Sequence, residues 1–158
     1  MKQFVLSLLF LSSCVWASDA FVDVKLSPAG SFTGHTSDVK GVVKKAGNRF
    51  VAQNIVVNLR SLKTKMSLRD KHTQDYLNTK EHPEAILVKA VGENGRGKGI
   101  IRIKGIEKNI SGSFKVVGTD LHAEFPLKLS DFKIEGVNYM GVGVKDIINV
   151  RVKVPIAN

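Results

Sequence analysis

Cysteine is nearly absent from this chain of 158 residues: Cys14 stands alone, so no intrachain disulfide can form and the fold must rest on a packed core. Aromatic residues are also scarce, at 7%, with one tryptophan and two tyrosines. Acidic residues are outnumbered, 14 against 24 basic ones, which leaves a formal net charge of +10. No apolar run reaches the roughly 18 residues that a membrane-spanning helix needs. Enzyme signatures are missing as well. There is no Gly-x-Ser-x-Gly, no Gly-x-x-x-x-Gly-Lys-Ser/Thr and no His-Glu-x-x-His. Gly95-x-Gly97-x-Gly99 lacks the strand-to-helix setting of a nucleotide loop and reads as a hairpin. His35, His72, His82 and His122 do not stand at metal-ligand spacings, so no metal or other cofactor is expected, and no enzyme. A Ser/His/Asp hydrolase has nothing in the sequence to argue for it.

What is present begins with a leader. Met1-Lys2-Gln3 is a short basic segment, Phe4 to Leu11 is an apolar run, and the small-residue triplets Val15-Trp16-Ala17 and Ser18-Asp19-Ala20 follow. That order predicts a signal peptide over residues 1–20 and a single domain over 21–158, in the periplasm or secreted. Leu11-Ser12-Ser13-Cys14 also resembles a lipobox, which would make Cys14 the lipidated first residue; the short stretch before it and the ordinary cleavage sites behind it weigh against that reading. Cutting after Ala17 removes Lys2 and no acid, leaving 23 basic residues against 14 acidic ones; cutting after Ala20 removes Asp19 too. The positive charge therefore belongs to the mature domain. Export makes nucleic acid an unexpected partner and leaves acidic ligands and anionic membranes open.

Beyond the leader, period-two alternation dominates. Leu121, Ala123, Phe125, Leu127 and Leu129 share a face, as do Ile148, Val150, Val152 and Val154, and Ile101 with Ile103. Such alternation gives a strand one dry face and one wet face. Further strands are expected at Val22–Leu26, Ser31–Gly34, Val39–Lys45, Arg49–Gln53, Ile55–Leu59, Ile86–Val91, Ile110–Val116 and Val137–Val142, separated by Gly- and Asn-rich turns. Pro126 inside a strand marks an edge, a bulge or a seam. The segment from Ser61 to Pro83 does not alternate. Ser67-Leu68-Arg69-Asp70 fits a capping box, Leu68, Thr73 and Leu77 form a narrow stripe, and His82-Pro83 supplies a stop, which predicts one short helix over residues 67–77. An all-β antiparallel barrel or sandwich with one helix across an end accounts for this order.

The motifs also resemble those of the YceI-like family of exported bacterial proteins. Three blocks carry the likeness: Lys65-Met66-Ser67-Leu68-Arg69-Asp70-Lys71-His72 with the following Asp75-Tyr76-Leu77 and Lys80-Glu81-His82-Pro83-Glu84-Ala85-Ile86; Ile101-Arg102-Ile103-Lys104-Gly105-Ile106-Glu107-Lys108; and Leu129-Ser130-Asp131-Phe132. The chain departs at Ser27 and Gly30, where many members carry Asp and His, and at Glu107, where Thr is usual. The resemblance implies an extended lipocalin-like antiparallel barrel of about eight strands that binds a polyisoprenoid, quinone-like or fatty chain. It also allows a homodimer, since dimers occur among similar proteins.

A barrel of about eight strands is filled by its own side chains or holds one slim ligand. Few large aromatics stand on the apolar faces, which leaves room for a chain. The expected lining is Phe32, Val57, Leu59, Ile101, Ile103, Phe114, Phe125, Leu127, Ile148 and Val150. Arg60, Lys63, Lys65, Arg69 and Lys71 crowd one short stretch, so Lys63, Lys65, Arg69 and Lys71 are candidates to meet an anionic head group or an anionic leaflet, while Arg69 and Asp70 could equally pin the helix. The competing function is a filled barrel whose basic surface binds an anionic partner or membrane, as a stress-related envelope protein would.

Overall fold

The computed structural model describes residues 17–157. Cys14 and positions 1–16 of the expected leader lie outside the described residues. The chain enters its first strand, β1, at Asp19 (Asp19–Ser27), two residues ahead of the boundary read from the sequence. Then follow β2 (Ser31–Thr36), β3 (Val39–Lys40), β4 (Val43–Ala46), β5 (Arg49–Asn58), helix α1 (Ser67–Leu77), β6 (Glu84–Glu93), β7 (Arg96–Ile103), β8 (Ile106–Val117), β9 (Asp120–Lys128), β10 (Asn138–Tyr139), β11 (Val142–Val144) and β12 (Ile147–Ala157).

The segments that alternate most cleanly build the wall. Strands β4 to β9 run up and down in sequence order, and β12 pairs antiparallel with β9 from Ile147↔Lys128 to Pro155↔Asp120. At its far end β12 reaches β4, pairing Ile156↔Val43 and Ala157↔Lys44 in parallel. The result is a closed seven-stranded mixed barrel rather than the antiparallel barrel of about eight strands expected from the sequence. The odd count explains the difference. Seven strands that alternate direction around a ring bring the first and the last together pointing the same way, so one seam must be parallel. β1, β2 and β3 flank this ring, through β1–β12, β1–β2 and β3–β5 pairing. The small β10–β11 hairpin hangs on the end of β1 through Leu26↔Val144.

Two expected strands, Arg49–Gln53 and Ile55–Leu59, are one continuous β5, joined through Asn54 at a φ of 51°. Asn is among the few residues that adopt this conformation readily. The β8–β9 ladder stops at Ser113↔Glu124. Pro126 lies two residues further along β9 and has no N–H to extend it.

Helix α1 occupies the expected residues, but its ends are made differently. Ser67 forms no cap; Met66 holds the N-cap position without a side-chain bond. Asp70 turns back instead, and its Oδ1 accepts from the Thr64 amide (2.7 Å) and hydroxyl (2.6 Å). The helix ends at Asn78 in the left-handed conformation, ahead of His82-Pro83. No residue of α1 is fully buried, so packing alone does not hold it. Gln74 Nε2 donates to the Leu59 carbonyl (2.9 Å), and Arg60 Nε donates to the carbonyl of Thr79 (2.9 Å) just past the helix. Arg60, a member of the basic cluster, is thus a strut between β5 and α1.

Candidate ligand cavity

The wall residues that face inward are mostly small or branched, with Phe50, Phe114 and Phe125 as the large rings among them. They enclose a cavity of about 660 Å³, inside the range of roughly 300–1,000 Å³ for ligand sites. One half is bounded by the cluster containing Leu59, Ile101, Ile103, Phe125, Leu127, Ile148 and Val150. The other half is bounded by Val43, Ala52, Ile55, Leu121 and Val154. In that second half Phe50 and Phe114 meet edge to face, ring centres 5.4 Å apart, and both line the cavity. Gly92 makes this possible: a Cβ there would lie 2.5 Å from the Phe114 ring.

The helical end is open. Met66, Leu68, Tyr139, Met140 and Val142 all border the cavity and are exposed, Met140 at 85% and Tyr139 at 51%. They form an apolar collar contributed by α1, its preceding residue and the β10–β11 hairpin. Six α1 residues line the cavity: Leu68, Arg69, His72, Thr73, Tyr76 and Leu77. Their spacing places them on one helical face. Tyr76 reaches towards the Gly136 carbonyl (3.4 Å), and the His72 ring lies 5.1 Å from that of Tyr139, so the helix and the hairpin face each other across the mouth.

All ten residues expected to line a barrel interior border this cavity: Phe32, Val57, Leu59, Ile101, Ile103, Phe114, Phe125, Leu127, Ile148 and Val150. Of the four basic candidates Arg69 alone is among the lining residues; Lys63, Lys65 and Lys71 are exposed and outside it. Arg69 is engaged already. Its guanidinium carbon sits 4.3 Å from the Phe32 ring centre, a cation–π contact, and one of its terminal nitrogens lies 2.8 Å from Met66 Sδ. Asp70 is held below the ordinary carboxyl range, first by the Thr64 hydroxyl, with burial opposing and the Thr64 amide and the charges of Lys63 and Arg69 assisting.

Sequence reading missed His72 and Tyr76 as lining, along with Tyr139 and Met140. For the first two a signal existed: extending the stripe of Leu68, Thr73 and Leu77 to the full i, i+4 pattern includes them. The collar residues on the hairpin carry no such signal, because that hairpin reaches the mouth through the pairing of β11 with β1. Elsewhere on the wall the polar groups pair with one another on the outer face. Arg151 makes two bonds to Asp23 (2.7 and 2.9 Å), which hold that carboxyl below its usual range despite the opposing effect of burial. Among the described residues no three His, Cys, Asp or Glu side chains gather in a way that could hold a metal ion, and no helix is long and apolar enough to cross a membrane.

Comparison with known proteins agrees with this geometry. Residues 17–156 match the YceI-like domain family. The crystal structure of BcnA from Burkholderia cenocepacia is similar, with a TM-score of 0.66 at 15% identity over 86% of this chain and 94% of that one. A polyisoprenoid binding domain from Saccharophagus degradans, implicated in plant cell wall breakdown, is similar with a TM-score of 0.57 at 13% identity, over 86% of this chain and 91% of that one. At those identities the likeness is one of fold. No curated protein matches the chain.

Proposed function

This chain belongs to the YceI-like family, and on that premise we propose that it is an exported carrier that holds one long-chain amphiphile, an isoprenoid or a fatty chain, inside its barrel. The observation that carries the reading is the apolar cavity of about 660 Å³ opening at the α1 end. At about 30 Å³ per water-sized volume that space accommodates on the order of twenty chain atoms. Each buried CH₂ contributes roughly 0.8 kcal/mol, so a chain of that length gains about 16 kcal/mol before the cost of immobilising it. The polyisoprenoid binding domain of similar fold supports the choice of ligand class. A hollow interior argues against the alternative of a filled barrel acting through its surface alone.

The protein acts by shielding the chain from water, with the polar head left at the collar. No reaction is assigned to it. Met66, Leu68, Tyr139, Met140 and Val142 are suited to rest in the interface of an anionic leaflet while the ligand transfers, with exposed Lys65 and Lys71 beside them in sequence. Export is part of the same proposal, and cleavage after Ala17 suits the barrel better than cleavage after Ala20. Ser18 and Ala20 are buried, Ala20 pairs with both Val152 and Thr36, and Asp19 bonds His35 at 2.8 Å. The test of binding is displacement of a fluorescent long-chain probe by a C20 isoprenoid alcohol. Saturable one-to-one uptake is expected. Failure of every chain from ten to forty carbons to displace or enter would overturn the reading.

A further inference from the structure

Resting on that reading of the cavity, we propose that His72 Nε2 is the anchor for the head group of the bound amphiphile, and that this head is an uncharged hydrogen-bonding group: a hydroxyl, a phenol or a carbonyl. Among the described residues, this nitrogen is the buried side-chain polar atom left without a hydrogen-bond partner. A buried donor or acceptor in that state costs about 1–3 kcal/mol. His72 also lines the cavity at its mouth, on the helical face that carries Leu68 and Tyr76. A neutral imidazole nitrogen serves as donor or acceptor, so it suits either side of a hydroxyl or a carbonyl oxygen.

Three neighbouring polar atoms are committed elsewhere, while the hydroxyls of Thr73 and Tyr139 and Asn138 Nδ2 also line the cavity and stand as secondary partners for the same head. The Thr64 hydroxyl donates to Asp70 (2.6 Å), Tyr76 Oη donates to the Gly136 carbonyl (3.4 Å), and Asn138 Oδ1 accepts from the Gly141 amide (3.2 Å). The cations do not form an anion cradle. Arg69 is stacked on Phe32, and Lys63, Lys65 and Lys71 stand off the lining. An ionised phosphate drawn in to the depth of His72 would lose its water without a free cation to replace it, which is strongly unfavourable. A neutral head meets no such penalty and satisfies the orphan nitrogen. The basic cluster that the sequence offers for an anionic head is therefore not the group that meets the ligand.

The experiment uses three ligands with one C20 isoprenoid chain: the hydrocarbon, the primary alcohol and the monophosphate, each competed against a fluorescent probe on the mature protein. The alcohol is expected to bind roughly three- to tenfold tighter than the hydrocarbon, as one net hydrogen bond implies, and the monophosphate no tighter than the alcohol. In H72L the ratio of alcohol to hydrocarbon affinity falls to near one. In H72Q, whose amide nitrogen reaches a similar position, part of the ratio returns, and this rescue separates anchoring from a loss of fold. Equal affinity of alcohol and hydrocarbon in the unaltered protein would overturn the inference and leave the cavity reading standing. So would a preference for the monophosphate that vanishes in R69Q or in K65S/K71S. If none of the three binds, the cavity reading falls and the inference with it.

Discussion

Replacing Ala52 by phenylalanine puts the hollow barrel to a quantitative test. Ala52 lies in β5, 5% exposed, in the half of the cavity remote from the collar, and its register partners Val43 and Ala90 also line the space. The substitution adds a ring of six carbons. At about 30 Å³ per atom-sized volume the ring takes up roughly 180 Å³, a little over a quarter of the 660 Å³ available. A filled core would resist such a change by about 1–3 kcal/mol of overpacking; here the ring has empty space beside it, and the loss of stability is expected below about 1 kcal/mol. Binding responds differently. A chain of about twenty carbons must withdraw some six CH₂ groups from the cavity, worth up to about 5 kcal/mol at roughly 0.8 each. A chain of ten carbons still fits in the half nearer the mouth. Calorimetric titration of A52F with saturated alcohols of ten to twenty carbons is expected to show at least a tenfold loss for the longest and less than a twofold change for the shortest. Equal losses at all lengths, or none at any, would refute the placement of the chain along the barrel axis.

Other perturbations bear on the parts around the cavity. G92A brings a methyl group to within 2.5 Å of the Phe114 ring, so denaturant unfolding is expected to show a loss of about 1–3 kcal/mol, with the Phe50–Phe114 contact broken. D70A removes the acceptor for both the Thr64 amide and its buried hydroxyl; a loss of about 2 kcal/mol and faster hydrogen exchange at the start of α1 are expected. The folded-state pKa of Asp70 lies below its unfolded value. Its stabilisation is therefore complete above the ordinary carboxyl range and is lost as pH falls below about 4 through the depressed value, and D70N should flatten that part of the stability profile. N-terminal sequencing of the exported protein is expected to read Ser18-Asp19-Ala20, and a form beginning at Phe21 should be less stable, having lost the Asp19–His35 contact and the Ala20 pairing.

Much of the wall is legible in the sequence because a half-buried strand writes itself as alternation. Ile148 to Val154 and Leu121 to Leu129 need no other cue, and their inward faces become the lining without exception. The helix is legible in position for a different reason: it is where alternation fails. Its capping is not legible, since Asp70 is drawn back to Thr64 by a turn that no local motif announces. The parallel seam between β12 and β4 is likewise hidden, because it follows from the number of strands that close the ring and not from any one of them. Of the basic cluster, only Arg69 reaches the cavity lining. Lys71 and His72 are neighbours in the chain but point about 100° apart on a helix, so a cluster of bases in the sequence disperses over several faces once α1 forms. Asn54 hides β5 in the same way: a polar residue between two alternating stretches looks like a turn until its pairing partners on β6 continue on both sides of it.

The central claim is that this barrel carries an amphiphile, and the most direct measurement is organic extraction of the protein purified from the envelope of cells that produce it, followed by mass spectrometry of the extract. The account predicts one dominant long-chain lipid with a neutral polar head, close to one per chain, retained by the unaltered protein and replaced by shorter species in A52F. A clean extract from folded protein, with the interior dry and collapsed in an experimentally determined structure, would contradict it.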